Sequence, residues 1–309
     1  MPFPPSFHEV AKRVNNWGRW GSEDEIGTLN LLTDEVVREA LREARTGRRF
    51  SLAMKLSEDG PQVGYVPGRV NPTRTMLAVN RSMFNDPTVF CTSDDAVTMG
   101  LQAATHWDSL AHVSYDGRIY NGFGADTITE DGASRCGIDK IASIVGRGVL
   151  LDVGRAVEFD ATEQSYCVTP ADLDAAVALA GVDIKSGDIL MVRTGHMRTF
   201  AERGRLFYSG AVSPGLSMHT AEWFHERDVA AVATDTMTFE IFPPESEDTW
   251  FPLHCLDLVE MGMTQGQNWD LEVLAGDSAS DGVYTCFLEA SPQPFVNGIG
   301  SPVNPIAIK

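Results

Sequence analysis

The chain is poor in several features that mark common protein classes. Positive charge is scarce: 24 Lys and Arg stand against 43 Asp and Glu, a net charge of −19 at pH 7. Such a surface repels phosphate backbones and anionic lipid heads, which argues against nucleic acid or a membrane surface as partners. Cysteine is sparse. Cys91, Cys136, Cys167, Cys255 and Cys286 are far apart and form no C-x-x-C pair. A disulfide framework or a cysteine zinc site is therefore not expected, and a reduced compartment, the cytoplasm, fits better. Any one of them could be a nucleophile, but Cys286 lies in the apolar run VYTCFLEA and reads as a buried structural residue. No apolar run reaches the roughly 18 residues of a membrane span, and the N-terminal MPFPPSFHEVAKR lacks the apolar stretch of a signal peptide. There is no P-loop, G-x-G-x-x-G, G-x-S-x-G or H-E-x-x-H, so a nucleotide enzyme or serine hydrolase is disfavoured. Internal repeats and linker-like composition breaks are also absent. A single domain over residues 1–309 is expected, with an N-terminal arm over about 1–32.

What is present supports a sizeable core: 43% of residues are apolar and 9% aromatic. Residues 15–32, rich in Trp and Gly, read as an ordered arm without regular structure. Thr33 can cap a helix whose stripe is Val36, Val37, Ala40, Leu41 and Ala44, stopped by Gly47. FSLAMKL (50–56) reads as a strand. Much of 57–100 should be loop, because Gly and Pro recur in it. Asn121-Gly122 marks a turn. Strands are expected at 148–153, 188–194, 229–235 and 283–290. Helices are expected after the Thr169-Pro170 cap, over 217–227, from Leu253 to Met261 and, briefly, over 271–275. The tail ends in an alternating stretch that could dock as an edge strand. The fold class is α/β, with a mixed sheet or barrel-like core surrounded by helices.

The chemistry concentrates in QAATHWDSLAH (102–112). His106 and Asp108 are two apart, which puts them on opposite faces of a helix but on one face of a strand. Gln102, Leu110 and His112 share that parity. A strand rises about 3.3 Å per residue, so a straight one would leave Asp108 and His112 about 13 Å apart. If the segment is a metal site, His106 and Asp108 are the expected ligand pair, and His112 would arrive through a turn, better placed for proton transfer. The spacing alone also fits a surface or satisfied core cluster of polar residues. Neutral imidazole and carboxylate suit Zn²⁺ or Mn²⁺, which activate water and polarise a carbonyl. A nearby histidine titrates in the range needed to move a proton.

This segment resembles the signature His-x-Gly-Thr-His-x-Asp-x-Pro-x-His of the cyclase family, metal-dependent hydrolases that include bacterial kynurenine formamidase and isatin hydrolase. Thr105, His106, Asp108 and His112 stand in register. The resemblance extends through WGSEDEIGTLNLLT (20–33), RGVLLDV (147–153), GDILMVRTG (187–195), VAAVATDT (229–236), GQNWDLEVLA (266–275) and GSPVNPIAIK (300–309), as in the longer members. It implies that His106 and Asp108 ligate a metal, that His112 is the catalytic histidine, and that His254 lies at the metal centre. Three signature positions depart: Gln102 stands for the first histidine, Ala104 for the glycine and Leu110 for the proline. Downstream, Gln267 stands where dinuclear members carry a glutamate. With a histidine and a carboxylate replaced by neutral amides, at most one tightly held ion is expected. Its ligands would be Gln102, His106 and Asp108, with His254 and Gln267 as additions. The oxygen-rich set leans to Mn²⁺ over Zn²⁺.

Other residues have two readings each. Trp107, of opposite strand parity, packs in the core behind the site or lines a substrate pocket. Trp17 and Trp20 in the arm form local core or close over a neighbouring site. Asp235, ending an α/β strand, faces a ligand crevice or caps the next turn. Arg193, inside an apolar strand, needs a buried carboxylate partner. The expected function is hydrolysis of an amide, a cyclic amide or a lactone of a small aromatic substrate. The alternatives are a non-hydrolytic cyclase or dehydratase and a metal-free binding protein. A homo-oligomer, dimer or tetramer, is expected from the resemblance.

Overall fold

Three apolar segments, Val145–Asp152, Ile189–Arg193 and Ala231–Thr234, are buried almost throughout. Continuous burial is the mark of strands covered on both faces, and in this computed structural model they run parallel at the centre of one sheet. The structure describes residues 3–161, 165–246 and 249–309. In chain order the sheet strands are β1 (Arg49–Ser51), β2 (His106–Asp108), β3 (Val145–Asp152), β4 (Ile189–Arg193), β5 (Ala231–Thr234), β6 (Thr264–Gln267), β7 (Thr285–Glu289), β8 (Gly300–Pro302) and β9 (Ile306–Ile308). Their spatial order is β1-β9-β7-β3-β4-β5-β6-β2-β8. The strands β3 to β6 are parallel, and every pairing outside them is antiparallel. The expected mixed α/β sheet is thus present, and it curls without closing, since β1 and β8 remain edges.

Side chains alternate across this sheet as a period of two requires. Val149, Leu151, Leu190, Val192 and Val232 face one apolar core. Leu150, Ile189, Met191, Ala231 and Ala233 face the other. Helices cross between the parallel strands. The helix Pro170–Ala180 starts at a capping box: Thr169 accepts from the Asp172 amide, and the Asp172 carboxylate accepts from the Thr169 amide at 2.7 Å. Arg193 finds its expected carboxylates, Asp152 at 2.7 Å and Glu272 at 2.7 and 2.9 Å.

Several elements differ from expectation. The helix capped by Thr33 covers only Asp34–Ala40 before tightening at Leu41–Glu43. The expected 50–56 strand is paired only at Arg49–Ser51, with a single bridge from Ala53 to Trp269. The N-terminal arm contains a helix, Pro5–Val14, that buries Phe7, Val10, Ala11 and Val14. Residues 57–100 are largely loop, as expected, but Thr73–Ser82 and Cys91–Thr98 within them pair as an antiparallel ribbon outside the main sheet. Both its faces are exposed, so no apolar-polar alternation marked it. The tail strand β9 is internal, because β1 pairs on its far side. The segment from Leu253 is π-helical over Cys255–Met261, following a short turn at Pro252–His254.

Candidate metal centre

Three residues of β2 set the geometry. Paired with β6 on one side and β8 on the other, the segment is extended, so His106 and Asp108 point to one face and Trp107 to the opposite one. The His106 Nδ1 lies 2.7 Å from the Ala104 carbonyl. A carbonyl only accepts, so Nδ1 carries the proton and Nε2 presents its lone pair. That Nε2 stands 3.5 Å from Asp108 Oδ1. Two ligands of one ion, each at roughly 2.0–2.2 Å, sit about 3.4 Å apart at a tetrahedral angle. The pair therefore has the spacing of co-ligands.

Asp108 is fully buried, and Gln267 Nε2 donates to its Oδ2 at 2.8 Å. Among the described residues its Oδ1 has no hydrogen-bond partner. An ionised oxygen buried without a partner is costly. A cation between Asp108 Oδ1 and His106 Nε2 would remove that cost, so these residues fit a divalent metal. Burial opposes the Asp108 charge, yet the His112 and His106 imidazoles outweigh it and hold the carboxyl well below its usual range. Among the described residues no three His, Cys, Asp or Glu side chains converge as a ready-made cage. The strong donors are this one pair, with amides beside it.

The chain turns after Asp108, where the His112 amide bonds the Ser109 carbonyl, and that turn brings His112 Nε2 to 3.7 Å from Asp108 Oδ1. Burial pushes the His112 imidazole down to about 4, against the pull of Asp108; His254, Arg69 and His106 push the same way as burial. At neutral pH it is an uncharged base. His254 reaches the same cavity from the helix end. Its Nδ1 pairs with the buried carboxylate of Glu240, which also accepts from the amides of Leu253 and His254 at 3.0 Å. The pairing fixes the ring and leaves Nε2 free. His112 and His254 have ring centroids 6.4 Å apart. Gln267 faces His106 across the β6–β2 ladder, and its buried Oε1 has no partner among the described residues.

His106, Asp108, His112, His254 and Gln267 all line one cavity of about 530 Å³. Val113, Met237, Phe242 and Phe251 supply apolar wall, while Tyr65 and Trp250 stand at its exposed rim.

A protein-family model, Cyclase ("Putative cyclase"), matches residues 50–241. The chain belongs to the cyclase family. A solved structure described as a novel cyclase is 35% identical, covers 97% of this chain and 99% of its own, and superposes with a TM-score of 0.88. Isatin hydrolase A from Ralstonia solanacearum is 19% identical, with 84% of this chain and 91% of that chain covered and a TM-score of 0.62. A predicted metal-dependent hydrolase from Bacillus stearothermophilus is 16% identical over 84% and 97% of the two chains, TM-score 0.52. The last two show a shared fold. Comparison with curated proteins finds no match.

The other residues that the sequence singled out lie outside the cavity lining. Gln102 places its amide beside Gly300, the residue across the ladder from Asp108; a Cβ at Gly300 would come within 2.7 Å of Gln102 Nε2. Trp107 is fully buried, edge-on to Trp269 at 5.0 Å, with Nε1 donating to the Ala290 carbonyl. Gly266 makes room for both rings, since a Cβ there would meet Trp269 Nε1 at 2.7 Å and Trp107 at 2.9 Å. Trp20 lies under the Arg19 guanidinium, and Trp17 Nε1 donates to the Val259 carbonyl. Asp235 accepts from the Thr194 hydroxyl and the amides of Thr194 and Gly195, capping that turn. Trp107, Trp20 and Asp235 therefore do not touch the cavity.

Sequence reasoning missed Glu240 and Arg69. Glu240 sits between Phe239 and Ile241, and a carboxylate within an apolar run was a readable sign of a buried partner. Arg69, in a Gly- and Pro-rich loop, carried no such sign.

Proposed function

We propose that this chain is a metal-dependent hydrolase that opens an amide, a cyclic amide or a lactone of a small, aromatic substrate. The observation that carries the reading is the unpartnered Asp108 Oδ1, buried at the floor of a largely apolar cavity and facing imidazoles at 3.5 and 3.7 Å. His106 and Asp108 would hold one Mn²⁺ or Zn²⁺, with Gln267 Oε1 and His254 Nε2 as supplementary donors. Such an ion, when bound, activates water and polarises a carbonyl. His112, neutral and mostly buried, takes a proton from the attacking water and returns it to the leaving nitrogen or oxygen. Glu240 holds His254 in one orientation. The aromatic walls seat a ring and exclude bulk water. The structurally similar isatin hydrolases and metal-dependent hydrolases support this reading.

The test is metal content per chain by elemental mass spectrometry, joined to turnover of aryl formamides, lactams and lactones before and after chelation. About one Mn or Zn per chain, with activity lost on chelation and regained on reloading, is expected. Turnover that survives chelation would instead favour a metal-free cyclase, and neither metal nor turnover a binding protein.

We further propose that two copies meet through the exposed ribbon. A two-stranded hairpin alone is marginally stable in water, yet this one exposes Leu77, Val79, Met83, Phe84, Val89 and Phe90. Its strands supply ten and eight residues, and with their connecting turn approach the roughly 20–30 residues a stable interface needs on each side. In a chain of net charge −19 the ribbon holds Arg74 and Arg81 against Asp86, Asp94 and Asp95. Two like-charged copies meet with least repulsion through such a near-neutral apolar surface. Sedimentation velocity checks this, and a monomer at micromolar concentration overturns it.

A further inference from the structure

One charged side chain in the cavity has no task in the proposed hydrolysis. Arg69 lines the cavity beside His106, Asp108 and His112. Among the described residues its guanidinium forms no ion pair and no hydrogen bond. Elsewhere the chain pairs its buried arginines: Arg147 lies near Asp188, and Arg193 bonds Asp152 and Glu272. The exception is placed with care. Gly100 packs against the Arg69 stem so closely that a Cβ there would lie 2.9 Å from Arg69 Cγ and 3.4 Å from its Cα. The Arg69 amide bonds the Val66 carbonyl at 3.1 Å, and the Gly100 amide bonds Val70 at 3.0 Å. The base of the side chain is thus fixed while its head stays unclaimed. The head lies within electrostatic reach of Asp108.

A half-buried guanidinium among apolar walls is left short of partners. Its planar fork matches a carboxylate with two parallel hydrogen bonds. An acid approaching a chain of net charge −19 also needs a local cation to be held at all. We propose that Arg69 is a specificity-determining residue that grips a carboxylate, so that the cavity takes small, apolar acids. This rests on the hydrolase reading for its place in turnover, but the binding itself does not. The carboxylate is either one the substrate already carries or the one that hydrolysis of its acyl group releases.

The experiment is calorimetric titration of benzoate and of its neutral isostere benzamide into the full chain, as purified and after chelation. Wild type, Arg69→Met and Arg69→Lys are compared, each checked for folding by its melting curve. Benzoate should bind wild type at least about tenfold more tightly than benzamide, the range of a charge-assisted pair. The preference should vanish in Arg69→Met, return in part in Arg69→Lys and persist after chelation. Equal binding of the two probes, no binding of benzoate, or a preference retained in Arg69→Met would overturn the proposal. Turnover of 2-formamidobenzoate against formanilide separates the two sources: a lower KM for the acid, lost in Arg69→Met, assigns the grip to the substrate's own carboxylate. Equal KM values with benzoate acting as an inhibitor assign it to the product. Metal content is read separately. Metal bound with no role for Arg69 sinks only this inference, whereas an Arg69-dependent benzoate preference in a chain that binds no metal sinks only the hydrolase.

Discussion

The strand β2 and the exposed ribbon are built from the same kind of backbone and end in opposite circumstances. The first has three residues, all buried, with a paired strand on each side. The second has strands of ten and eight residues, nearly all exposed and paired only with one another. Length is therefore a poor guide to which extended segment matters for chemistry. Neighbours decide it: the ladders around β2 fix every side chain to one face, so His106 and Asp108 converge while Trp107 is driven into the core. Nothing on the ribbon is fixed in that way, and its apolar side chains remain available to another surface.

Substitutions can break this contrast, and the largest effects belong to β2. Asp108→Asn removes the charge while keeping the shape, so the ion and the turnover should both be lost with little change in melting temperature. Metal analysis beside a melt checks this, and retained metal would refute the site. His112→Ala should lower kcat by about 10²–10⁴-fold while leaving metal content unchanged. On the opposite face, Trp107→Ala should cost about 3–5 kcal/mol of stability through the cavity it leaves. Denaturant unfolding measures that loss, and a cost below about 1 kcal/mol would deny the ring its packing role.

Smaller effects come from outside β2. Asp257, on the π-helical segment, is buried with no hydrogen-bond partner for either carboxylate oxygen among the described residues, and burial together with Glu240 raises its pKa well above the usual value. The folded state keeps this proton, whereas the unfolded chain releases it above about pH 4. The sign follows: this group favours folding most at low pH, and the contribution is lost as pH rises toward the folded pKa. Asp257→Asn should therefore gain melting temperature over wild type more at pH 8 than at pH 5. A gap independent of pH would show that the carboxyl is ionised when buried. On the ribbon, Leu77→Asp with Val89→Asp should change folding stability by within about 0.5 kcal/mol yet convert a dimer to monomer in sedimentation. A large loss of stability would mean that the ribbon belongs to the fold.

The sequence carried the parallel strands plainly, since continuous apolar runs at 148–153, 188–194 and 229–235 have few other solutions. It also carried the pairing of Arg193, because a cation inside such a run must meet a carboxylate. The common face of His106 and Asp108 was legible in their spacing, since a separation of two means a common face only on a strand, whereas the reading of that pair as metal ligands came from the resemblance to the cyclase family. The ribbon was not legible, because both its faces meet solvent and leave no alternation. The roles of Trp20, Trp107 and Asp235 stayed open for a related reason. Strand parity gives two faces but does not say which one bounds a cavity.

Residue types and spacing by themselves determined the α/β sheet, the convergence of His106 with Asp108, and the neutral amides at Gln102 and Gln267. These follow from local periodicity and side-chain chemistry, which every short segment carries within itself. Only the tertiary structure decided that Glu240 holds His254, that Gly266 admits two tryptophan rings, and that Arg69 stands unpaired beside His112. Those relations join segments far apart in the chain. Their distances depend on how strands and loops pack, and no spacing along the sequence encodes that.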